Sequence, residues 1–152
     1  MLRPQLNEKL KTAMLAKDAR VVSTIRLILA ALKDRDIAAR SRGVMDGIGE
    51  DEILSMLQSM IKQRRESISL YEQGGRLELA QQEQDEIAII ETFLPKQMDE
   101  AEATEAVRAV IAEIGAAGIK DMGKVMAALK ERFAGRMDFT KASALTKREL
   151  GA

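Results

Sequence analysis

The four residues Asp121-Met-Gly-Lys124 carry the clearest chemistry in this chain. A helix that starts there offers unpaired N–H groups and partial positive charge in its first turn, and these attract anions. Gly123 leaves room for a phosphate to approach the backbone, and Lys124 adds a compact positive charge. The competing explanation is structural: a glycine at 123 lets this helix pack closely on a neighbour. Four more basic residues follow, Arg136, Lys141, Lys147 and Arg148. Lys141 and Arg148 are seven apart, hence on one face of a helix. Aromatics are only 3% of the chain, which disfavours stacking on single-stranded bases. Contacts to the backbone of a folded RNA suit such a set better.

A second basic cluster, Lys62-Gln-Arg-Arg-Glu-Ser67, has two readings. It meets a phosphate or an acidic partner, or its arginines pair with Glu78, Glu83 or Glu86 on the next helix, which the abundance of acids there favours. The glycines of the stretch from Arg40 to Gly49 suggest a phosphate loop only superficially. No strand precedes them and no Gly-Lys-Ser/Thr closes them, so the stretch is read as a mobile surface connection.

The chain has no histidine and no cysteine. That removes the usual imidazole base, the thiolate nucleophile and the soft metal ligands. The acids fall on charged helix faces or at helix caps, so no catalytic residue is assigned, and neither a metal nor a cofactor is expected. Net charge is zero, against a protein that coats nucleic acid by bulk electrostatics. No apolar run is long enough to span a bilayer and no signal-peptide pattern opens the sequence, so no membrane partner is expected. With no disulfide framework either, the expected location is the cytoplasm.

The elements that position these residues all read as helices, separated by glycine and proline. A first helix runs from Leu2 to Lys17, and Asp18 caps a second to about Ala39, whose apolar stripe extends to Ile37. A third runs from Glu50 to about Gln73, and Gly74 and Gly75 turn the chain into a fourth, which starts at Arg76 with Leu77 facing inward. So short a link folds the third and fourth into a long antiparallel hairpin. Pro95 ends the fourth helix at Phe93 or Leu94, and Asp99 with Glu102 starts a fifth, to Ile114. Asp121 caps a sixth helix to Phe133, and Asp138 or Thr140 opens a last one to Leu150. The expectation is an all-α protein: an N-terminal helical subdomain over residues 1–94, joined at a proline corner to a small three-helix bundle over residues 95–152.

Several of these segments together resemble the GatB/YqeY family. They are Lys62-Gln-Arg-Arg-Glu-Ser67, Tyr71 with Gly75-Arg76 and Leu79, Glu83, Glu86-Ile87, Leu94-Pro95, Met122-Gly123-Lys124-Val125-Met126, and Gly135-Arg136 with Asp138. The pattern departs at Met137 and Phe139, where the family has a small residue and glycine. The resemblance is to the stand-alone YqeY-like proteins, whose C-terminal part is similar to the tail of the B subunit of the glutamine-dependent tRNA amidotransferase. It implies tRNA and tRNA-amidating enzyme subunits as partners. It also implies an association with carbon–nitrogen ligase activity using glutamine as amido donor, the chemistry residing in other domains. The resemblance supports Gly123, Lys124 and Arg136 as tRNA-phosphate contacts, and the reading of the basic residues adds Lys141, Lys147 and Arg148 to the expected set. The alternative is a protein-interaction adaptor that works through the N-terminal hairpin.

Overall fold

The computed structural model describes residues 1–151. The all-α expectation holds: the described residues form seven α-helices and two short 3-10 turns, with no strand among them. The chain divides into two compact units, Met1–Leu94 and Pro95–Ala152.

The first unit contains α1 (Leu2–Leu15), α2 (Ala19–Ala39), α3 (Glu50–Gln73) and α4 (Leu77–Glu91). Its core is aliphatic, built on Leu6, Ile25, Ile28, Met56, Leu57 and Ile90. Asp18 caps α2 as expected, accepting from the Val21 N–H at 3.3 Å. Glycine at 75 has φ of +72°, and the Arg76 and Gly75 amides return to Tyr71 and Glu72 carbonyls to close α3.

Three expectations are corrected here. Ile37 and Leu77 are 49% and 66% exposed: Ile37 lies off the line on which α2 buries Ile28, Leu32 and Ala39, and Leu77 sits at the hairpin turn, ahead of Ala80, the first buried residue of α4. The fourth helix stops at Glu91, not at Phe93 or Leu94. Ahead of Pro95 the amides of Thr92, Phe93 and Leu94 each bond three residues back, so the last turn tightens into 3-10 geometry. Finally, the connection between α2 and α3 is pinned to the body rather than loose. Arg3 on α1 and Asp36 on α2 form a two-pronged ion pair with both bonds 2.8 Å. Asp36 also accepts from the Ile48 N–H at 2.9 Å, and Arg3 donates to the Ile48 carbonyl at 2.9 Å. Gly47 lies against this latch at φ +92°; a Cβ there would sit 2.7 Å from Arg3 Nη2. Only glycine fits.

The second unit contains α5 (Glu100–Ile114), α6 (Met122–Phe133) and α7 (Phe139–Gly151). A full capping box opens α5: Asp99 accepts from Glu102 N–H at 2.8 Å while Glu102 accepts from Asp99 N–H at 3.4 Å. Gly115, at φ +72°, closes it. Asp138 opens α7 by accepting from the Thr140 and Lys141 amides. Val107 and Val110 of α5, Val125 and Leu129 of α6, and Ala142 of α7 form the separate core of this unit.

Candidate nucleic-acid interface

The start of α6 is built differently from a simple capped helix. A 3-10 turn, Ile119–Asp121, precedes it, and the Met122 N–H already donates to the Ile119 carbonyl. Asp121 therefore does not cap α6 with its side chain, contrary to expectation. Its carboxylate turns back and accepts from the Ala117 N–H at 2.9 Å. That bond, chiefly, holds the Asp121 carboxyl below the usual aspartate range; the Gly118 amide and the charges of Lys120 and Lys124 add to it against partial burial. The first turn is thus left without a side-chain acceptor, while a carboxylate remains close by.

Gly123 is exposed, and a Cβ added there would meet nothing within 4 Å. The packing explanation for this glycine is overturned: no neighbour approaches it. Lys124 is exposed beside it.

The other expected residues do not gather around this point. The end of α7 reaches the start of α6, since a Cβ on Gly151 would lie 3.7 Å from Ile119 Cδ1. One turn earlier on α7, Thr146 Oγ1 is 3.6 Å from Met126 Sδ. Lys147 and Arg148, both exposed, therefore lie toward the Gly123 end. Arg136 and Lys141 lie toward the opposite end of α6, roughly 18 Å away for a helix of 12 residues. Arg136 is half-buried and engaged: its Nε donates to the Lys96 carbonyl at 3.3 Å, and its own carbonyl accepts from Met98 N–H at 2.8 Å. It fastens the turn before α7 to the segment that follows Pro95. Lys141 is exposed, with its amide on the Asp138 cap.

On α7 the buried stripe of Ala142, Leu145, Thr146 and Leu150 separates two flanks. Lys141 and Arg148 occupy the flank nearer α5, where Glu149 pairs with Arg108 at 3.1 Å and lies 3.8 Å from Arg148. Lys147 occupies the other, beside α6. The sequence reading passed over Lys130, which is exposed and forms no ion pair among the described residues. It lies seven residues after Gly123 on the same helical face, a spacing that was available to find it. Gly123, Lys130 and Lys147 thus border one seam between α6 and α7. From Ile119 to Gly151 the chain carries eight basic and four acidic residues. All four acids except Glu131 are committed to a cap, a turn or an ion pair.

A model of the Yqey-like protein family matches residues 3–150. The chain belongs to that family. Proteins to which this Yqey-like chain is similar include three that share one name, "Altered inheritance of mitochondria protein 41, mitochondrial". The one from Eremothecium gossypii is 39% identical over 89 residues, which is 59% of this chain and 46% of that protein. Meyerozyma guilliermondii has one 40% identical over 91 residues, 59% and 44% of the two chains. In Saccharomyces cerevisiae the identity is 33% over 89 residues, 59% and 46% of the two. The chain spans about half the length of the relatives it matches. Their names correct the expectation of a cytoplasmic location, because they are mitochondrial proteins. That expectation rested on the lack of cysteine and of a spanning helix, which do not distinguish the cytosol from an organelle interior. No helix among the described residues is long and apolar enough to cross a membrane.

Proposed function

We propose that this Yqey-like chain is a non-catalytic helical protein that contacts tRNA backbone phosphate through the start of α6, with any glutamine-dependent amidation carried out by partner subunits. The observation that carries the proposal is the open flank of Gly123, with Lys124 exposed next to it and no side chain capping the turn. The basic lean of α6 and α7 supports it, since phosphate contacts are made by Lys and Arg and by helix N-termini.

Gel shift of bulk tRNA with the wild type, Gly123→Asp and Lys124→Ala tests it. Gly123→Asp places a carboxylate where the phosphate approaches, so it is expected to weaken binding more than Lys124→Ala. For Lys124→Ala the slope of log affinity against log salt should shrink by about one phosphate's worth. The open space at 123 predicts that the Asp variant keeps its melting temperature to within a few degrees, which circular dichroism checks. Unchanged tRNA affinity in a folded Gly123→Asp protein would remove the site.

A second reading, an adaptor that binds protein through the α3–α4 hairpin, is favoured by the exposure of Leu70 and Leu77 on either side of its turn, 68% and 66%. Stoichiometric co-purification of a protein with the wild type, lost in Leu70→Ser, would favour it over the tRNA reading.

A further inference from the structure

The outer half of the α3–α4 hairpin has little to hold it. The last buried residue of α3 is Ile61 and the first of α4 is Ala80. Between them Ser67, Ile68, Tyr71 and Leu79 are only half-buried. Apart from Ile68, which packs against the core cluster, this stretch buries little apolar surface, so it opens at low free-energy cost.

At the base of that outer half sits Arg64, whose side chain is 12% exposed. Its Nε is 3.0 Å from Glu86 and 3.9 Å from Glu83, and its Nη1 donates to the Met60 carbonyl at 3.3 Å. One guanidinium serves two carboxylates a turn apart on α4, and of the two only Glu86 receives a hydrogen bond. The other charges near α4 are committed elsewhere: Arg65 of α3 lies 3.5 Å from Glu91, and Arg20 of α2 lies 2.8 Å from Asp85. Glu83 therefore faces Glu86 on its own helix and a shared Arg64 from α3. Burial first, and the charge of Glu86 second, push its carboxyl above the usual glutamate range, with Arg64 opposing them.

We propose that Arg64, Glu83 and Glu86 form an acid-tightened clamp on the outer half of the hairpin, looser while Glu83 is charged and closed when it takes up a proton. A carboxyl whose folded pKa lies above its unfolded one penalises the closed state at pH above the folded value. That penalty disappears as the pH falls through it. The proton gives up the loose 3.9 Å contact to Arg64, which it leaves to Glu86. Outweighing that loss, it removes a partly buried charge and one like-charge contact between residues a turn apart. Relief of one such contact amounts to about a twofold change in the opening equilibrium.

Amide hydrogen exchange on the full chain, resolved by NMR and corrected for the intrinsic pH dependence of exchange, reads this opening. Protection of residues 66–79 is expected to rise about twofold as Glu83 is protonated, while residues 53–57 stay constant. Glu83→Gln should show the tighter protection at every pH. Should that variant fold poorly, the side-chain carbon shift of Glu83 in the wild type decides instead, and it must titrate above the ordinary glutamate value. Protection of 66–79 that is flat with pH in the wild type, or that still follows pH in Glu83→Gln, overturns the clamp. So does an ordinary titration of Glu83.

Discussion

Asp36 shows how much one side chain organises. It answers Arg3 from α1 and the Ile48 amide from the following connection, and so holds three segments that are far apart in sequence. The hydrogen bonds from Arg3 chiefly, and then the Ile48 amide, hold its carboxyl below the usual aspartate range against the cost of burial. A carboxyl with its folded pKa below the unfolded one contributes stability that is fully present above the unfolded value, about pH 4, and is lost as pH falls through the folded value. Asp36→Asn is therefore expected to cost about 1–2 kcal/mol at neutral pH, a figure kept modest because the pair is partly exposed. Urea unfolding at several pH values checks it. The variant should lie below the wild type at pH 7, and the gap should narrow in acid; a gap independent of pH would show that the latch is not ionic. The opposite sign at Glu83 means that acid weakens the latch while it tightens the hairpin.

At the scale of helices, the caps were legible because they are local. Asp18, Asp99 and Asp138 each sit within three residues of the amides they accept from, and all three act as the sequence implies. Asp121 looked the same and behaves differently, because a 3-10 turn ahead of α6 redirects its carboxylate to Ala117. The end of α1 was not legible. Lys17 adopts φ of +56°, the one non-glycine with positive φ among the described residues, while its amide and that of Asp18 return to Met14 and Ala13. This is the closure that glycine normally supplies. Lys17→Gly is expected to stabilise the protein by about 0.5–1 kcal/mol, the left-handed strain outweighing the added chain entropy. Thermal melting of the variant checks this; a lower melting temperature would mean that the lysine stem contributes packing that its exposed position does not suggest.

For the whole molecule, the division into Met1–Leu94 and Pro95–Ala152 comes with two cores that share no residue. Each part is accordingly expected to fold alone when expressed separately. The smaller one should be the weaker, since a domain of roughly 60 residues buries only about 60% of its unfolded surface. Differential scanning calorimetry of the two fragments should show a cooperative transition in each, at lower temperature for residues 95–152. A fragment with no transition would show that its core depends on the rest of the chain.

What the sequence determined by itself was the helical class, the order of the helices and most of their ends. Apolar spacing, capping acids and left-handed glycines act over three to seven residues, and those distances are visible along the chain. The arginine cluster of α3 was also legible in part as hairpin pairing: Arg64 meets Glu86 and Glu83 as expected, while Arg65 meets Glu91, an acid outside the expected set. Tertiary structure alone decided the rest. It pinned a glycine-rich stretch that composition marks as loose, because Gly47 and Ile48 meet Arg3 and Asp36 across long chain separations. It left Ile37 and Leu77 in solvent: α2 buries the line of Ile28, Leu32 and Ala39, which Ile37 does not share, and α4 begins to bury side chains only at Ala80. And it parted five basic residues that lie close in sequence, turning Arg136 into a brace, because α6 and α7 run back along one another and carry their two ends apart.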